Sequence, residues 1–219
     1  MAKKIKKKKK PVAKVNLQEL QESRNGGQVA LRGYSYQFLY SCNLILSSDM
    51  NIVFTLEGIE DIDAIKYSDS SETITHIQVK YSTQRQDASF MDSVLKNYLE
   101  AYLMDKNRYF KLVYDFSVAT GNLSKLFSGK LDKKSKEFWK TKIDNIKNET
   151  ASWNWSDFNF EDFMHRLSFI NVKKDSLEKS IEDFLIKNFE IETDNISLFA
   201  NGIKLLCLDK MESRAKVTH

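Results

Sequence analysis

Proline and glycine are scarce in this chain of 219 residues, which contains one proline and seven glycines. Because both residues interrupt regular backbone structure, their scarcity favours long helices and strands over a loop-rich fold. Hydrophobic residues make up 42% of the chain and aromatic residues 12%, a composition that excludes a largely disordered protein. We therefore expect one domain with a sizeable core, with or without a small appendage.

Cysteine and histidine are also rare, since the chain has two cysteines and three histidines. Five such residues, widely spaced, do not form the ligand pattern of a Cys/His zinc site. Cys42 and Cys207 lie in apolar segments, which predicts buried free thiols and a reducing cytosol. No run of 18 apolar residues occurs, and no apolar segment follows the N-terminal charges as in a signal peptide. We expect a cytoplasmic protein with no membrane segment.

Positive charge is concentrated at the N-terminus, where residues 1–14 carry eight lysines and no acid. Removing those eight from the 34 basic residues leaves 26 against 30 acidic ones, so a net charge of +4 becomes −4 for the rest. A lysine run of this kind is typical of a solvated arm, and the alternative is a non-specific phosphate-binding arm. We assign residues 1–24 to a basic tail and a short arm, with helical character over 16–23.

Hydrophobic periodicity predicts an α/β fold. Helical spacing covers residues 30–46 and 90–107, and alternation with a period of two covers residues 52–57, 62–67, 74–81 and 110–119. This αβββαβ order implies a sheet covered by helices. Further helices are predicted over residues 132–148, 156–167, 175–189 and 196–211. The pattern indicates a core over residues 25–122 and a helical C-terminal extension of the same domain over 123–219.

The second and third predicted strands carry polar side chains on one face. With the turn centred after residue 70, Asp63 faces Gln78 and Asp61 faces Lys80, and strand alternation places Gln78 and Lys80 together. Leaving such groups unsatisfied in an apolar layer costs several kcal/mol. The hairpin is therefore either an edge hairpin with one solvated face or a site that binds metal or substrate.

The chemistry of these side chains suits phosphodiester hydrolysis. Asp63 offers a carboxylate oxygen and Gln78 a side-chain carbonyl, both suitable for a divalent cation, and Asp61 is a further candidate ligand. The backbone carbonyl of Val79 is available if the strand lies beside an opening in the sheet. Lys80 reaches the same space, where it can orient the attacking water and stabilise the transition state.

This motif, an aspartate followed by (D/E/Q)-x-K on a hairpin within an αβββαβ core, resembles the PD-(D/E)xK nuclease superfamily. A wider series over residues 25–120 resembles the double-stranded-DNA endonuclease domain of bacterial anti-phage effectors in CBASS and Lamassu-type systems. Its segments are Gly26-Gly27, Arg32-Gly33-Tyr34-x-Tyr36-Gln37, Leu56-Glu57-Gly58-x-Glu60-Asp61-Ile62-Asp63 and Gln78-Val79-Lys80-Tyr81.

The resemblance implies a restriction-endonuclease-like core in a bacterial cytoplasmic protein, with Asp63, Gln78 and Lys80 as the catalytic set. Its cofactor would be Mg²⁺, for which Mn²⁺ can substitute. The resemblance also implies that Gln37 approaches the site where many relatives carry a glutamate. Because two glutamines stand where acids are common, metal binding is expected to depend on DNA, with the acidic residues of the preceding loop as support, namely Glu57, Glu60 and Asp61.

We expect cleavage of double-stranded DNA with little sequence specificity, because no recognition helix is evident and phosphate contacts carry no sequence information. Control by oligomerisation or by a regulatory sensor protein follows from the danger of an unregulated DNase. The alternatives are a catalytically silent nuclease-fold module for DNA binding or assembly, and an RNase or exonuclease that uses the same site.

Candidate DNA contacts lie outside the hairpin. Arg32 and Tyr36 near the start of the first helix suit phosphate or base contacts, although tyrosines at this spacing also suit packing. Lys133 and Lys134 belong to a lysine-rich helix that suits a DNA backbone or a solvated face. His76 shares the face of the motif, and we expect it at the surface. The three tryptophans, which invite a stacking role, fit helical packing positions better.

Overall fold

The computed structural model describes residues 26–68, 71–189 and 191–218. Within these ranges it contains seven helices and six strands. The helices are α1 (Gly26–Ser47), α2 (Met91–Met104), α3 (Gly121–Phe127), α4 (Lys133–Glu149), α5 (Phe160–His165), α6 (Lys174–Phe189) and α7 (Ile196–Ser213). The strands are β1 (Ile52–Leu56), β2 (Ile62–Ser68), β3 (Ser71–Gln86), β4 (Tyr109–Ala119), β5 (Leu167–Asn171) and β6 (Lys216–Thr218). The predicted basic tail and arm lie outside the described residues.

All six strands join one mixed sheet in the order β5-β4-β3-β2-β1-β6. The β1–β2, β2–β3 and β1–β6 pairs are antiparallel, whereas β3–β4 and β4–β5 are parallel. The parallel step from β3 to β4 needs a crossover, which α2 supplies. The predicted α/β class and the αβββαβ order of the first part of the chain are therefore confirmed.

The C-terminal part is not wholly helical as predicted, because it supplies a strand to each edge of the sheet. The helix expected over residues 156–167 is the short α5, capped by the Asn159 side chain, which accepts a hydrogen bond of 3.0 Å from the Asp162 N–H. The next residues form β5, where Leu167 and Phe169 pack on the core with a period of two. The short α3 was also not predicted. It follows Thr120 at Gly121, whose φ of 59° suits a glycine.

Each face of the sheet has its own apolar core. Helices α1, α6 and α7 supply the core on one face, and α2 to α5 supply the core on the other. Cys42 and Cys207 are free and buried in the first core, as predicted. Trp139 and Trp155 are buried in the second core, which confirms a packing role. Among the helices of the described ranges, none is both long and apolar enough to cross a bilayer.

Candidate active site

Strand β3 is much longer than its antiparallel neighbour. It has 16 residues and β2 has seven, and their pairing ends where Ile62 faces Ile77. Beyond Ile77, β3 continues beside β4 as far as Gln86. The second half of β3 therefore has a backbone edge that β2 does not cover, and Val79 lies at this opening, which was the condition set for the use of its carbonyl.

Asp61 occupies the opening. Its carboxylate Oδ2 accepts a hydrogen bond of 2.7 Å from the Val79 N–H. Because the N–H and C=O of one strand residue point to the same edge, the Val79 carbonyl also faces this opening. Burial raises the pKa of Asp61, opposed by the positive charge of Lys80 and by the Val79 N–H. Asp61 therefore contacts Val79, the residue between Gln78 and Lys80.

Glu57 is the second acid beside the opening in the sheet. It follows β1 in the left-handed region with a φ of 55°, and its N–H donates to the Asp61 carbonyl at 3.0 Å. The Gln37 amide of α1 donates a hydrogen bond to the Glu57 carboxylate, so Gln37 approaches the site as predicted. Burial and the nearby Asp61 charge raise the pKa of Glu57, and the Gln37 hydrogen bond lowers it. A strained backbone at a charged residue is typical of functional sites.

These groups line one cleft of about 270 Å³ between α1 and β3. Its polar side chains are those of Tyr34, Gln37, Glu57, Asp61, Lys80 and Tyr81. The cleft thus combines two carboxylates, one ammonium group and an accessible strand edge.

The register of the β2–β3 hairpin differs from the predicted one by two residues. Asp63 faces His76, not Gln78, and Ser68 faces Ser71. The turn is therefore centred one residue earlier than we expected. A shift of two residues preserves which face each side chain occupies, because side chains alternate with a period of two.

Asp63 is consequently held away from Lys80. It is 8% exposed, and its carboxylate accepts hydrogen bonds from the N–H groups of Ile59 at 2.8 Å and Glu60 at 3.5 Å. Its partner His76 lies four residues before Lys80, which is about 13 Å along the strand. The geometry therefore does not support Asp63 as a catalytic residue or metal ligand and favours Asp61 in that place.

His76 is buried, contrary to the surface position expected from the sequence. It is 1% exposed, its Nδ1 lies 2.6 Å from Asp63 Oδ1, and its Nε2 lies 2.8 Å from the Arg108 guanidinium. Because arginine only donates, His76 Nε2 accepts, and the ring is a neutral tautomer whose Nδ1–H donates to Asp63. The ring also stacks on Phe110. This network fixes the loop that carries Glu57 and Asp61.

Three buried side-chain oxygens have no hydrogen-bond partner in the described part of the chain. They are the hydroxyl of Ser135 on α4, Oε1 of Gln78, a residue 6% exposed, and Oε1 of Glu60. Burial raises the pKa of Glu60 to about 7, with a further contribution from the Asp61 charge, while a hydrogen bond with Asn97 lowers it. Buried oxygens without partners are uncommon. Gln78 is not among the residues that line the cleft, so its role as a ligand stays a prediction.

The predicted DNA contacts separate into three groups. Tyr36 is fully buried and its hydroxyl donates to the Val172 carbonyl at 2.8 Å, so it packs in the core and does not contact DNA. Lys133 and Lys134 begin α4, which packs on the face of the sheet opposite α1. Arg32 is exposed on α1 near the cleft. Over the ranges that the structure covers, no three His, Cys, Asp or Glu residues meet as a metal cluster.

No protein-family model matches the sequence, and no curated protein matches it. The fold is similar to that of solved bacterial receptors. The Acinetobacter baumannii Cap4 SAVED/CARF-domain containing receptor has a TM-score of 0.57 and 14% identity, over 85% of this chain and 44% of the receptor. The same receptor with the cyclic trinucleotide 3'3'3'-cAAA gives a TM-score of 0.57. The Moraxella osloensis receptor gives 0.54, with 14% identity over 85% and 44% of the two chains.

This chain therefore spans less than half the length of those receptors. At 14% identity the similarity concerns the fold.

Proposed function

We propose that this chain is a metal-dependent nuclease that hydrolyses phosphodiester bonds in double-stranded DNA. The observation that carries the proposal is the meeting of Glu57, Asp61 and Lys80 in one cleft at the uncovered edge of β3. Carboxylates attract a divalent cation, and an ammonium group beside them suits a phosphate whose negative charge grows during hydrolysis. A cleft built only for folding does not need two acids and a lysine at an exposed strand edge.

The oxygen atoms at this edge fit a hard cation such as Mg²⁺ or Mn²⁺. Asp61 would supply a carboxylate, Val79 its backbone carbonyl, and Gln78 the buried oxygen that lacks a partner. The bound cation would lower the pKa of a coordinated water and neutralise charge on the phosphate. Because the described residues offer no cluster of three acids, DNA phosphate oxygens would complete the coordination.

Side chains of the protein would supply the remaining catalytic roles. Lys80 would orient the attacking water and stabilise the charged transition state. Glu57 is held toward the cleft by Gln37 and is the candidate to accept a proton or a second ligand contact. Asp63 and His76 fix the loop from Glu57 to Asp61 and take no direct part in the reaction.

We place this nuclease in antiviral defence, with a restriction-endonuclease-like core. The motif series resembles the endonuclease domain of anti-phage effectors, and the similarity of fold to the Cap4 receptors supports the same setting. Because cutting both strands needs two active sites or rebinding, the active form would be an oligomer or a complex with a regulatory sensor protein.

The receptor solved with a cyclic trinucleotide favours a second candidate function, in which this chain binds a cyclic oligonucleotide. That function predicts binding of 3'3'3'-cAAA in titration calorimetry without metal-dependent cleavage. It leaves the acids and the lysine of the cleft unexplained, so we rank it second.

The deciding experiment incubates plasmid DNA with the protein in Mg²⁺, Mn²⁺ or EDTA. Parent protein should nick and linearise the plasmid only with a metal, and Asp61→Asn and Lys80→Ala should lose this activity. Lys66→Ala is the matched control, because Lys66 is an exposed lysine on β2 that pairs with Asp49. Undiminished cleavage by both cleft variants would refute the site. A folded parent without cleavage favours a silent binding module, and cleavage of RNA alone favours an RNase.

A further inference from the structure

A groove continues from the cleft along the second half of β3. A second cleft of about 130 Å³ is lined by Val29, Arg32, Tyr81, Ser82, Thr83 and Gln84. It shares Tyr81 with the first cleft, and both have α1 as one wall and β3 as the other. We call the two clefts together the β3 groove. It extends from the acids of the site to Gln84, beyond the residues that hydrolysis itself requires.

Two cations line the β3 groove and a third lies beside it. Lys80 is at the acidic end, and Arg32 is exposed on α1. Lys174, the first residue of α6, places its Nζ 5.1 Å from the centre of the Tyr81 ring and donates to the Arg32 carbonyl at 3.4 Å. Lys174 therefore joins Arg32 to the shared wall of the two clefts.

The acids that line the groove, Glu57 and Asp61, lie at its other end, where the cation would neutralise them. Asp115 contacts the backbone of Lys174, and its carboxylate is already engaged. It accepts hydrogen bonds from the Lys173 ammonium at 2.8 Å and from the Lys174 backbone N–H at 3.0 Å. The Lys174 side chain is thus not paired with Asp115, and its charge is directed at Tyr81 and Arg32.

The floor of the groove is polar and irregular. The Ser82 hydroxyl accepts hydrogen bonds from the Gln84 N–H at 3.1 Å and from the Gln86 amide at 2.8 Å. The β3–β4 register shifts between Ser82 and Arg85, so this part of β3 departs from a regular strand. Hydroxyls, amides and backbone N–H groups, together with arginine and lysine, are the groups that contact nucleic-acid phosphates.

We infer that the β3 groove holds the sugar-phosphate backbone of one DNA strand, with Arg32 and Lys174 contacting phosphates next to the scissile one. This inference rests on the proposed function and identifies where the substrate lies. From Lys80 to Gln84 the strand advances about 13 Å, which equals about four base-pair steps along the axis of a duplex at roughly 3.4 Å each. Because these contacts reach phosphates and not base edges, they position DNA without reading its sequence.

The experiment measures binding of a short fluorescent duplex to the full chain by anisotropy in EDTA, over a series of salt concentrations. Arg32→Met/Lys174→Met is compared with Lys133→Met/Lys134→Met, which removes the same charge from the opposite face of the sheet. Methionine retains the apolar stems and limits packing losses. Thermal melting of every variant checks that it is folded, and the single variant Arg32→Met replaces the double variant if that one unfolds.

Parent protein should bind with a steep dependence on salt. The groove variant should bind more weakly at low salt, and its slope of log affinity against log salt should fall by roughly 1.8, or 0.9 for each lost contact. The α4 control should retain the parent slope. The inference is overturned if the groove variant keeps the parent slope, if both variants lose it equally, or if the parent does not bind.

The same preparations are then tested for plasmid cleavage with Mg²⁺, which separates the two claims. Metal-dependent cleavage with an unchanged slope would support the proposed function and overturn the inference about the β3 groove. A reduced slope without any cleavage would support DNA binding in the β3 groove and overturn the proposed nuclease function.

Discussion

The two halves of β3 have the same alternation of side chains but different neighbours. In the first half, β2 and β4 pair on both sides, and the polar residue His76 is buried against Asp63 and Arg108. In the second half β2 is absent, and Lys80 opens onto a cleft with Asp61 and Glu57. Polar residues on this face of β3 therefore stabilise the fold in the first half, where neighbouring strands pair on both sides. In the second half, where one side is open, they are available for catalysis.

The largest expected effect comes from the open half. Lys80→Ala should reduce the rate of metal-dependent cleavage by about 100-fold to 1,000-fold, the usual cost of removing one group that stabilises developing charge. The free energy of unfolding should change little, because Lys80 lies at the cleft and not in the core. Single-turnover cleavage and urea denaturation measure the two quantities, with Lys66→Ala as the control. A Lys80 variant that cleaves like the parent would show that the open half of β3 has no catalytic role that distinguishes it from the paired half.

A substitution in the first half of β3, which is paired on both sides, should change the free energy of unfolding. His76→Ala leaves the buried Asp63 carboxylate without its histidine partner and Phe110 without its stacked ring. Removing the partner of a hydrogen bond to a buried charged group costs about 1.5–3 kcal/mol. Urea denaturation of the variant should show this loss. A change below about 1 kcal/mol, within the range of surface substitutions, would indicate that the network does not support the loop.

Gly58 tests how closely the loop fits over Asp63. A Cβ at position 58 would lie 2.2 Å from Asp63 Oδ2, so the carboxylate must move. Gly58→Ala should destabilise the protein by about 1–3 kcal/mol, as overpacking usually does.

Gly202 is the matched control, because it lies within α7 and a Cβ there meets no atom within 4 Å. Gly202→Ala should stabilise the protein by about 1 kcal/mol. A Gly58→Ala variant that is as stable as the parent, or stabilised like Gly202→Ala, would contradict the close contact between the loop and Asp63.

Glu60 lies in the loop between β1 and β2, and its substitution should give a modest effect that depends on pH. Its pKa is raised to about 7 in the folded protein, from an ordinary value of 4.5. The folded state therefore binds the proton more tightly, and the carboxyl's contribution to stability falls as pH rises from 4.5 to 7. Glu60→Gln removes this dependence and should stabilise the protein at pH 8 by about 1–2 kcal/mol, but not at pH 4.5. Urea denaturation at the two pH values checks the sign.

Much of this arrangement was predictable from the sequence because it depends on periodicity. The order of elements and the hairpin follow from helical and strand patterns, whereas the approach of Gln37 was implied by the family resemblance. Asp61 and Asp63 could not be distinguished in the same way. They lie on the same strand face, and a turn centred one residue earlier moves the pairing by two residues without changing that face.

Other features depend on tertiary contacts that a local pattern does not contain. The strands β5 and β6 are five and three residues long and form because the sheet offers them an edge. The polar residues at the end of β3 show no strand pattern and are extended because β4 pairs with them. The burial of His76 requires Arg108, a residue 32 positions away, to satisfy its second nitrogen.

Asp61→Asn and Asp63→Asn, compared in one experiment, test the central claim most directly. Each substitution removes one carboxylate from the segment at the start of β2, and each variant is assayed for metal-dependent plasmid cleavage and for its free energy of unfolding. We predict that Asp61→Asn loses cleavage while remaining as stable as the parent, and that Asp63→Asn is destabilised but retains cleavage under conditions where it is folded. Loss of cleavage in a stable Asp63→Asn variant, with cleavage intact in Asp61→Asn, would contradict the account.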